Sequence, residues 1–495
     1  MYIRKAKSKK ATWLQIGKKE KGKFVLIKHI GSASTPAQME ILQLKAKEEL
    51  SHLKFTNQMA LFANLNTPNR AKLTNWHITG FHQIFGCIYD SIGFPVSLLR
   101  DLVVARIVYP KSKLATSRYL DQYLGISVSE DKIYRFLDTL NKNELTKIAF
   151  DFVSKKNNGV ALIFYDVTTL YFETNNEDDL RKKGYSKDHK NELPQIVIGL
   201  FVDKDGYPFD FDFYQGSMFE GHTFPKAVKA LTTKYQFENL VVVADAGMLS
   251  EKNINFLETE NLNYIVGARL KGLSETIKKP IFLHDFTGIP FFDIVYKIKI
   301  ESGETRHKRL IIDYSVKRAR KDNSNREKLI KRLKEKINSK KPLVKKSKYL
   351  ILENQGTIAG IDTKKVELDK RHDGLKGYWT NLKPKNKPLQ IIDQYHNLWK
   401  IEKAFRMSKS DLQERPIFHR KSTRINGHLL ICFCSLLVMK EVERMLEPTK
   451  ISLIKAIQIL GKVGQGEVVF GKLKTIIDSE LSDEAKTIYR QIPGH

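Results

Sequence analysis

Apolar and polar residues alternate over the first 34 residues, in "TWLQIGKKEKGKFVLIKHIG", with the period of a small β-hairpin. The spacing then changes to three and four in "PAQMEILQLKAKEELSHLKF", which predicts a helix. Residues 78–153 read as helical. "VSLLRDLVVARIVYP" stops at Pro110, "SKLATSRYLDQYLG" stops at Gly125, and "SEDKIYRFLDTLN" starts after Ser129 as its N-cap. Short helices broken by a glycine turn are compatible with a helix-turn-helix whose second member is the Ser129 helix. Lys132 and Arg135 are then its candidates for DNA contact, although small bundles with no nucleic-acid role share this pattern.

From residue 159 the texture turns to strands. "VALIFYD", "LPQIVIGLFVD" and "YPFDFDFYQG" are three, the last two joined by the turn sequence "DKDGYP". "HTFPKAVKALTTKYQ" predicts a helix, "ENLVVVADAG" a buried strand, and 251–260 another helix. Further strands follow in "NYIVGARL", "FFDIVYKIKI", "HKRLIIDYSV" and "KYLILEN", interrupted by a basic segment. Residues 389–447 are strongly helical, and no internal repeat is visible. The predicted division is a β-hairpin segment over 1–34, a mainly helical DNA-binding region over 35–155, and the first part of a mixed α/β core over 156–261. A β-rich insertion with a basic helix over 262–388, the helical second part of the core over 389–447 and a tail over 448–495 complete it.

Charge narrows the partners. With 85 Lys and Arg against 55 Asp and Glu, the chain carries +30, which favours a polyanion, nucleic acid or an anionic membrane surface. The longest apolar run, "LLICFCSLLVM", falls well short of the roughly 18–20 residues of a membrane span. The basic N-terminus is not followed by an apolar signal segment. The expectation is a soluble cytoplasmic protein with nucleic acid as partner. Cys87, Cys432 and Cys434 form no disulfide framework, and the Cys432-x-Cys434 pair sits in an apolar run, as core residues do.

Two buried strands each deliver an acid: "VALIFYD" ends on Asp166, and "NLVVVADAG" ends on Asp245 before Gly247. Parallel neighbours would bring both carboxylates to one sheet edge, whereas a single strand-end Asp is ordinarily a turn residue. A third acid, Glu402, lies in "IIDQYHNLWKIEKAFRMSKSDLQ", four residues after Leu398 and seven after Tyr395, on or beside an apolar stripe. Its local alternative is an i,i+4 pair with Arg406.

These residues resemble the DDE triad of bacterial insertion-sequence transposases. Tyr395, Leu398, Glu402 and Lys409 follow the spacing Tyr-x2-Arg-x3-Glu-x6-Lys of the insertion-sequence-four superfamily. "YDVTTLYFE", "GYSKDHK", "ADAGMLS", "WKIEKAFRMSKSDLQERPIFH" and "RINGHLLICF" resemble the group typified by insertion sequence 1634, from about residue 85 to 440. The chain departs from the pattern at Leu398, where the superfamily has arginine; Lys400, Lys403 and Arg406 are candidates for the phosphate contacts that arginine would make.

The resemblance implies a ribonuclease-H-like mixed-sheet catalytic core interrupted by a β-rich insertion. It implies an enzyme that cleaves the ends of its element and joins them to target DNA. Asp166, Asp245 and Glu402 would hold two Mg²⁺ ions, with Mn²⁺ as a substitute, because paired divalent ions clamp the attacking and departing oxygens of an in-line displacement. Tyr395 and Lys409 would position the terminal phosphate. The partners would be double-stranded inverted repeats and target DNA, with a homodimer in the synaptic complex of a bacterial nucleoid. His189, His222, His419 and His428 are scattered and suggest no zinc site. In the insertion, Tyr378 and Trp379 suit either base stacking or a strand core. The basic segment Lys317–Lys348, with Ile330, Leu333 and Ile337 on one face, suits either DNA contact or a solvated helix. Two alternatives stay open: a ribonuclease-H-like nuclease, and a catalytically inactive or domesticated DNA-binding protein.

Overall fold

Three antiparallel strands open the chain: β1 (Tyr2–Lys7), β2 (Thr12–Glu20) and β3 (Lys23–Ala33). The alternation predicts the β2–β3 hairpin; β1 adds a third strand against Leu14 and Ile16, which are fully buried. The computed structural model describes residues 1–7, 12–20, 22–33, 36–63, 71–248, 250–286, 288–299, 304–338, 348–352, 358–470 and 473–492. It divides into two units, Met1–Trp76 with Gly464–Ser479, and His77–Val463 with Glu480–His495. In the first unit, α1 (Pro36–Ala63) and β4 (Lys72–Ile78) follow the opening strands.

The second unit starts with helices whose ends follow local chemistry. They are α2 (Cys87–Ile92), α3 (Leu98–Val108), α4 (Lys113–Leu124), α5 (Glu130–Thr139) and α6 (Lys142–Asn157). Pro110 lies just past α3. Gly125 closes α4 at φ +66°, a left-handed position that glycine adopts without strain. The Ser129 hydroxyl accepts the Lys132 amide and caps α5, as its sequence predicts.

A mixed eight-stranded sheet follows. Its members are β5 (Leu162–Tyr171), β6 (Gln195–Asp203), β7 (Pro208–Gln215), β8 (Val241–Ala244) and β9 (Asn263–Ala268), with α7 (Glu220–Lys234) before β8 and α8 (Glu251–Thr259) before β9. Then come α9 (Glu275–Leu283), β10 (Phe291–Lys299), β11 (Thr305–Tyr314) and α10 (Val316–Asn338). A short pair, β12 (Leu350–Leu352) and β13 (Ile358–Ile361), leads through α11 (Thr363–Lys370) to β14 (Leu375–Thr380). The sheet order is β10-β11-β14-β9-β8-β5-β6-β7, with β5, β8 and β9 mutually parallel and the other pairings antiparallel.

Two expectations about local structure are corrected. The strand that delivers Asp166 does not end on it: Val167 and Leu170 are buried and pair with β6 as far as Tyr171. The predicted helix around Glu402 is broken into α12 (Pro388–His396) and α13 (Trp399–Arg406), followed by a wider turn over Met407–Asp411. The Asn397 side-chain amide donates to the Asp393 carbonyl at 3.0 Å, and the Lys400 backbone amide donates to the Asn397 carbonyl three residues back. That local competition tightens the turn.

Last in the second unit are α14 (Ser422–Leu446), α15 (Leu453–Leu460) and, after two strands of the first unit, α16 (Asp483–Tyr489). α14 is buried along most of its length and packs on α3, α5, α6 and β7; Cys432 and Cys434 are core residues within it. Tyr378 and Trp379 are buried in mid-sheet on β14, so the strand-core alternative holds for both. Each such aromatic contributes about 1.5–3 kcal/mol by burial. The two strands between α15 and α16, β15 (Gly464–Phe470) and β16 (Leu473–Asp478), belong to the first unit, where the order β16-β15-β4 forms a sheet. Among the described residues no helix is long and apolar enough to cross a membrane.

Candidate active site

Strand register sets the two aspartates side by side. The parallel pairing of β5 with β8 runs from Leu162 opposite Val241 to Tyr165 opposite Ala244, so Asp166 and Asp245 occupy the next positions. The two-residue period turns neighbours to opposite faces. The Tyr165 hydroxyl meets Thr223 Oγ1 of α7 at 2.9 Å, and Asp166 belongs to the other face of the strand; α13 also contacts β5. Asp166 Oδ1 accepts the Val167 amide at 2.8 Å. Burial pushes its carboxyl up to about 7, with Lys187 opposing and Asp245 adding to the rise. Asp245 is also a turn residue, since its Oδ1 accepts the Gly247 and Met248 amides at 2.6 and 3.2 Å.

Glu402 is exposed on α13, flanked by the buried Ile401, Ala404 and Phe405. Tyr395 links it to the aspartates. Its phenol is buried and held above its ordinary range by burial first, then by Asp245, Glu402 and Asp166, against the opposing charge of Arg318. A Cβ on Gly267 would overlap the Tyr395 hydroxyl and crowd the Ala246 amide nitrogen, so glycine there leaves room for the phenol beside β9. Lys376 lies 4.5 Å from the Tyr395 ring centre. Among the described residues no three His, Cys, Asp or Glu side chains stand close enough to share one ion. The acids surround Tyr395 without closing on one point.

Three residues of this region were not singled out from the sequence. Lys187, inside the "GYSKDHK" stretch, places Nζ 3.9 Å from Asp166 and 3.1 Å from Glu220, and donates to the Val167 carbonyl at 2.6 Å. Glu220 is the first residue of α7, where an acid also suits the helix dipole, a local signal that hides its other neighbour. Arg318 comes from the first turn of α10, and only the tertiary fold brings its charge to Tyr395.

The expected DNA contacts are dispersed. Lys409 pairs with Asp188 at 3.2 Å, and Arg415 pairs with the same carboxylate. Lys400 donates to the Lys204 carbonyl at 2.6 Å, on the β6–β7 turn, and Lys403 pairs with Glu443 at 2.6 Å. Arg406 is exposed on α13. Lys132 and Arg135 are exposed on α5, whose Ile133 and Leu137 are buried. On α10, Leu333 is buried while Lys317, Arg320, Lys321, Lys328, Lys331, Arg332 and Lys334 face solvent.

A family model described as a transposase DDE domain matches residues 161–438, more than half of the chain. No curated protein matches it. Among solved structures, the piggyBac transposase synaptic complex with hairpin DNA is similar at 12% identity and a TM-score of 0.37, over 77% of this chain and 76% of that one. The Mos1 transposase paired-end complex with left transposon end is similar at 13% identity and a TM-score of 0.16, over 31% of this chain and 53% of that one. TM-scores this low carry no argument about fold or site.

Proposed function

Because the chain belongs to the DDE transposase family, and so is a DNA transposase, we propose which residues do the work and in which branch of the family. We assign it to the insertion-sequence-four superfamily, in the group typified by insertion sequence 1634, with Asp166, Asp245 and Glu402 as the catalytic acids. The observation that carries this assignment is the adjacent register of Asp166 and Asp245, with α13, the helix that bears Glu402, in contact with the same strand. The β7-β6-β5-β8-β9 order, antiparallel and then parallel, supports a ribonuclease-H-like core, with β14, β11 and β10 added at one edge as the insertion.

The donor set fits a hard divalent cation. All three candidates are carboxylates, and the half-buried Asp166 has a lysine ammonium 3.9 Å away as its nearby positive charge. Asp166, Asp245 and Glu402 would hold two Mg²⁺ ions, with Mn²⁺ as a substitute; when bound, these activate water and stabilise the departing oxygen. The chain's own groups orient the DNA. Tyr395, fixed against Gly267, and Lys409, held by Asp188, position the terminal phosphate. The Leu398 side chain is apolar and has no donor for phosphate; Arg318 is the arginine we assign to that contact. The helical region with Lys132 and Arg135 reads the inverted repeats, and a homodimer pairs the two ends in a bacterial nucleoid.

Labelled element ends incubated with Mg²⁺ test the triad. Asp166→Asn, Asp245→Asn and Glu402→Gln should each lose cleavage by about 10²–10³-fold or more while binding DNA normally, since phosphate contacts supply most affinity. A variant that cleaves near the wild-type rate removes its residue from the triad. Lys409→Ala should weaken binding to pre-cleaved ends more than to uncut DNA.

A further inference from the structure

The deeply buried cations of the chain fall into two classes. Arg309 pairs with Asp293 at 2.6 Å, Arg181 pairs with Asp178 at 2.7 Å, and Arg326 pairs with Asp373. Arg106 and Lys113, only 6% and 4% exposed, have no such partner. Arg106 reaches the Leu412 carbonyl at 3.4 Å, and among the described residues no carboxylate forms an ion pair with either. An unpaired buried charge costs several kcal/mol, so a cluster of two calls for a compensating group.

Both cations line one cavity of about 270 Å³, between the end of α3, the start of α4, the 413–419 segment and α14. His428 also lines it. Its Nε2 meets the Glu414 carbonyl at 3.0 Å, while its buried Nδ1 has no hydrogen-bond partner. His419 is beside it, with ring centres 5.3 Å apart. Burial and the charges of Arg106 and Lys113 hold both imidazoles below their ordinary range, His419 down to about 3. Two acids lie near. Burial pushes the Glu414 carboxyl up, against the Ser408 hydroxyl that bonds it and the charges of Lys409, Arg106 and Arg415, and Asp138 is paired with Arg424. Lys113 is the first residue of the twelve-residue α4, so the positive end of that helix also forms the wall.

We propose that this cavity is a phosphate-binding site, with Arg106 and Lys113 as its charged ligands. Two unpaired cations and a helix N-terminus supply donors for the several acceptor oxygens of one phosphate group. Arg415 on its wall shares Asp188 with Lys409, so a phosphate held here rests on the framework that carries the terminal-phosphate lysine.

The test uses the full chain and inorganic phosphate, titrated against chloride at equal ionic strength. Phosphate should raise the unfolding midpoint of the wild type with a logarithmic dependence on concentration. In Lys113→Met the apparent affinity should fall about tenfold or more, and this variant should be at least as stable as wild type without phosphate. A duplex oligonucleotide separates the sources. If Lys113→Met also weakens DNA binding, and phosphate competes with DNA, the ligand is a DNA phosphate; if DNA binding is unchanged, it is free phosphate. Equal phosphate stabilisation of both proteins, or none in the wild type, would overturn the site. If Lys113→Met does not fold, Arg106→Met takes its place, and the wild-type titration still decides.

Discussion

The acidic cluster around Tyr395 and the basic cavity around Lys113 handle buried charge in opposite ways. At the first, a lysine from a loop stands near Asp166 and pairs with Glu220, so the acids have a counter-charge from the chain itself. At the second no carboxylate is paired with the cations, and the two histidines are held neutral. One site is balanced by the chain, the other is not. Where the chain supplies the opposite charge, an incoming ion must compete with it; where it does not, the ligand itself is the balance.

The largest effect that would break this contrast is on the acidic side, where a triad variant retaining cleavage would leave Lys187 balancing an ordinary turn acid. The next is a pH dependence of stability on the basic side. Burial first, and Arg106 next, lower Lys113 from 10.5 to about 7, with Cys432 opposing, while His419 and His428 face the same cavity neutral. Between those values the unfolded chain binds the extra proton, so stability should rise with pH from about 7 to about 10.5. The gain is on the order of a few kcal/mol. Lys308, Lys376, Lys409 and Lys440 are lowered too, so Lys113→Met should show a smaller rise than wild type, and saturating phosphate should reduce the wild-type rise, as urea midpoints across that range will show.

A smaller effect sharpens the acidic half. Lys187→Met removes the competing ammonium, so Mn²⁺ affinity, measured by calorimetry on the metal-free protein, should increase roughly tenfold. A decrease would mean that Lys187 supports the ions instead of standing in for them. The smallest concerns cations fully in solvent. Neutralising Lys321, Lys328, Lys331 and Lys334 on α10 should lower the slope of log K against log salt by about 0.9 per lost phosphate contact, equally for matched and scrambled ends. Lys132→Ala with Arg135→Ala should weaken matched ends selectively, and a salt titration on both DNAs separates these outcomes.

Much of this was legible where the signal is local. Ser129, Pro110 and Gly125 mark helix ends in the sequence and in space, and the runs before Asp166 and Asp245 read as strands that turn out to be parallel neighbours. The course of β5 beyond Asp166 was not legible, because an acid within an apolar run looks like a stop while pairing with β6 overrides it. Lys187, Glu220 and Arg318 have no periodic signature; their meaning comes from which carboxylates the tertiary fold brings near. Arg106 and Lys113 are seven residues apart and look like any cations around a turn, until burial without a partner sets them apart.

The pairing of β4 with β15 bears on how the protein is made. Thr74 and Glu467 share a hydrogen bond across 393 positions. A ribosome adds about 5–20 residues each second, so β4 emerges roughly 20–80 s before its neighbour exists. During that interval β4 presents an edge that other nascent chains can meet. A copy of the gene whose reading frame stops early yields a chain that can never complete that sheet, even with Asp166, Asp245 and Glu402 all present.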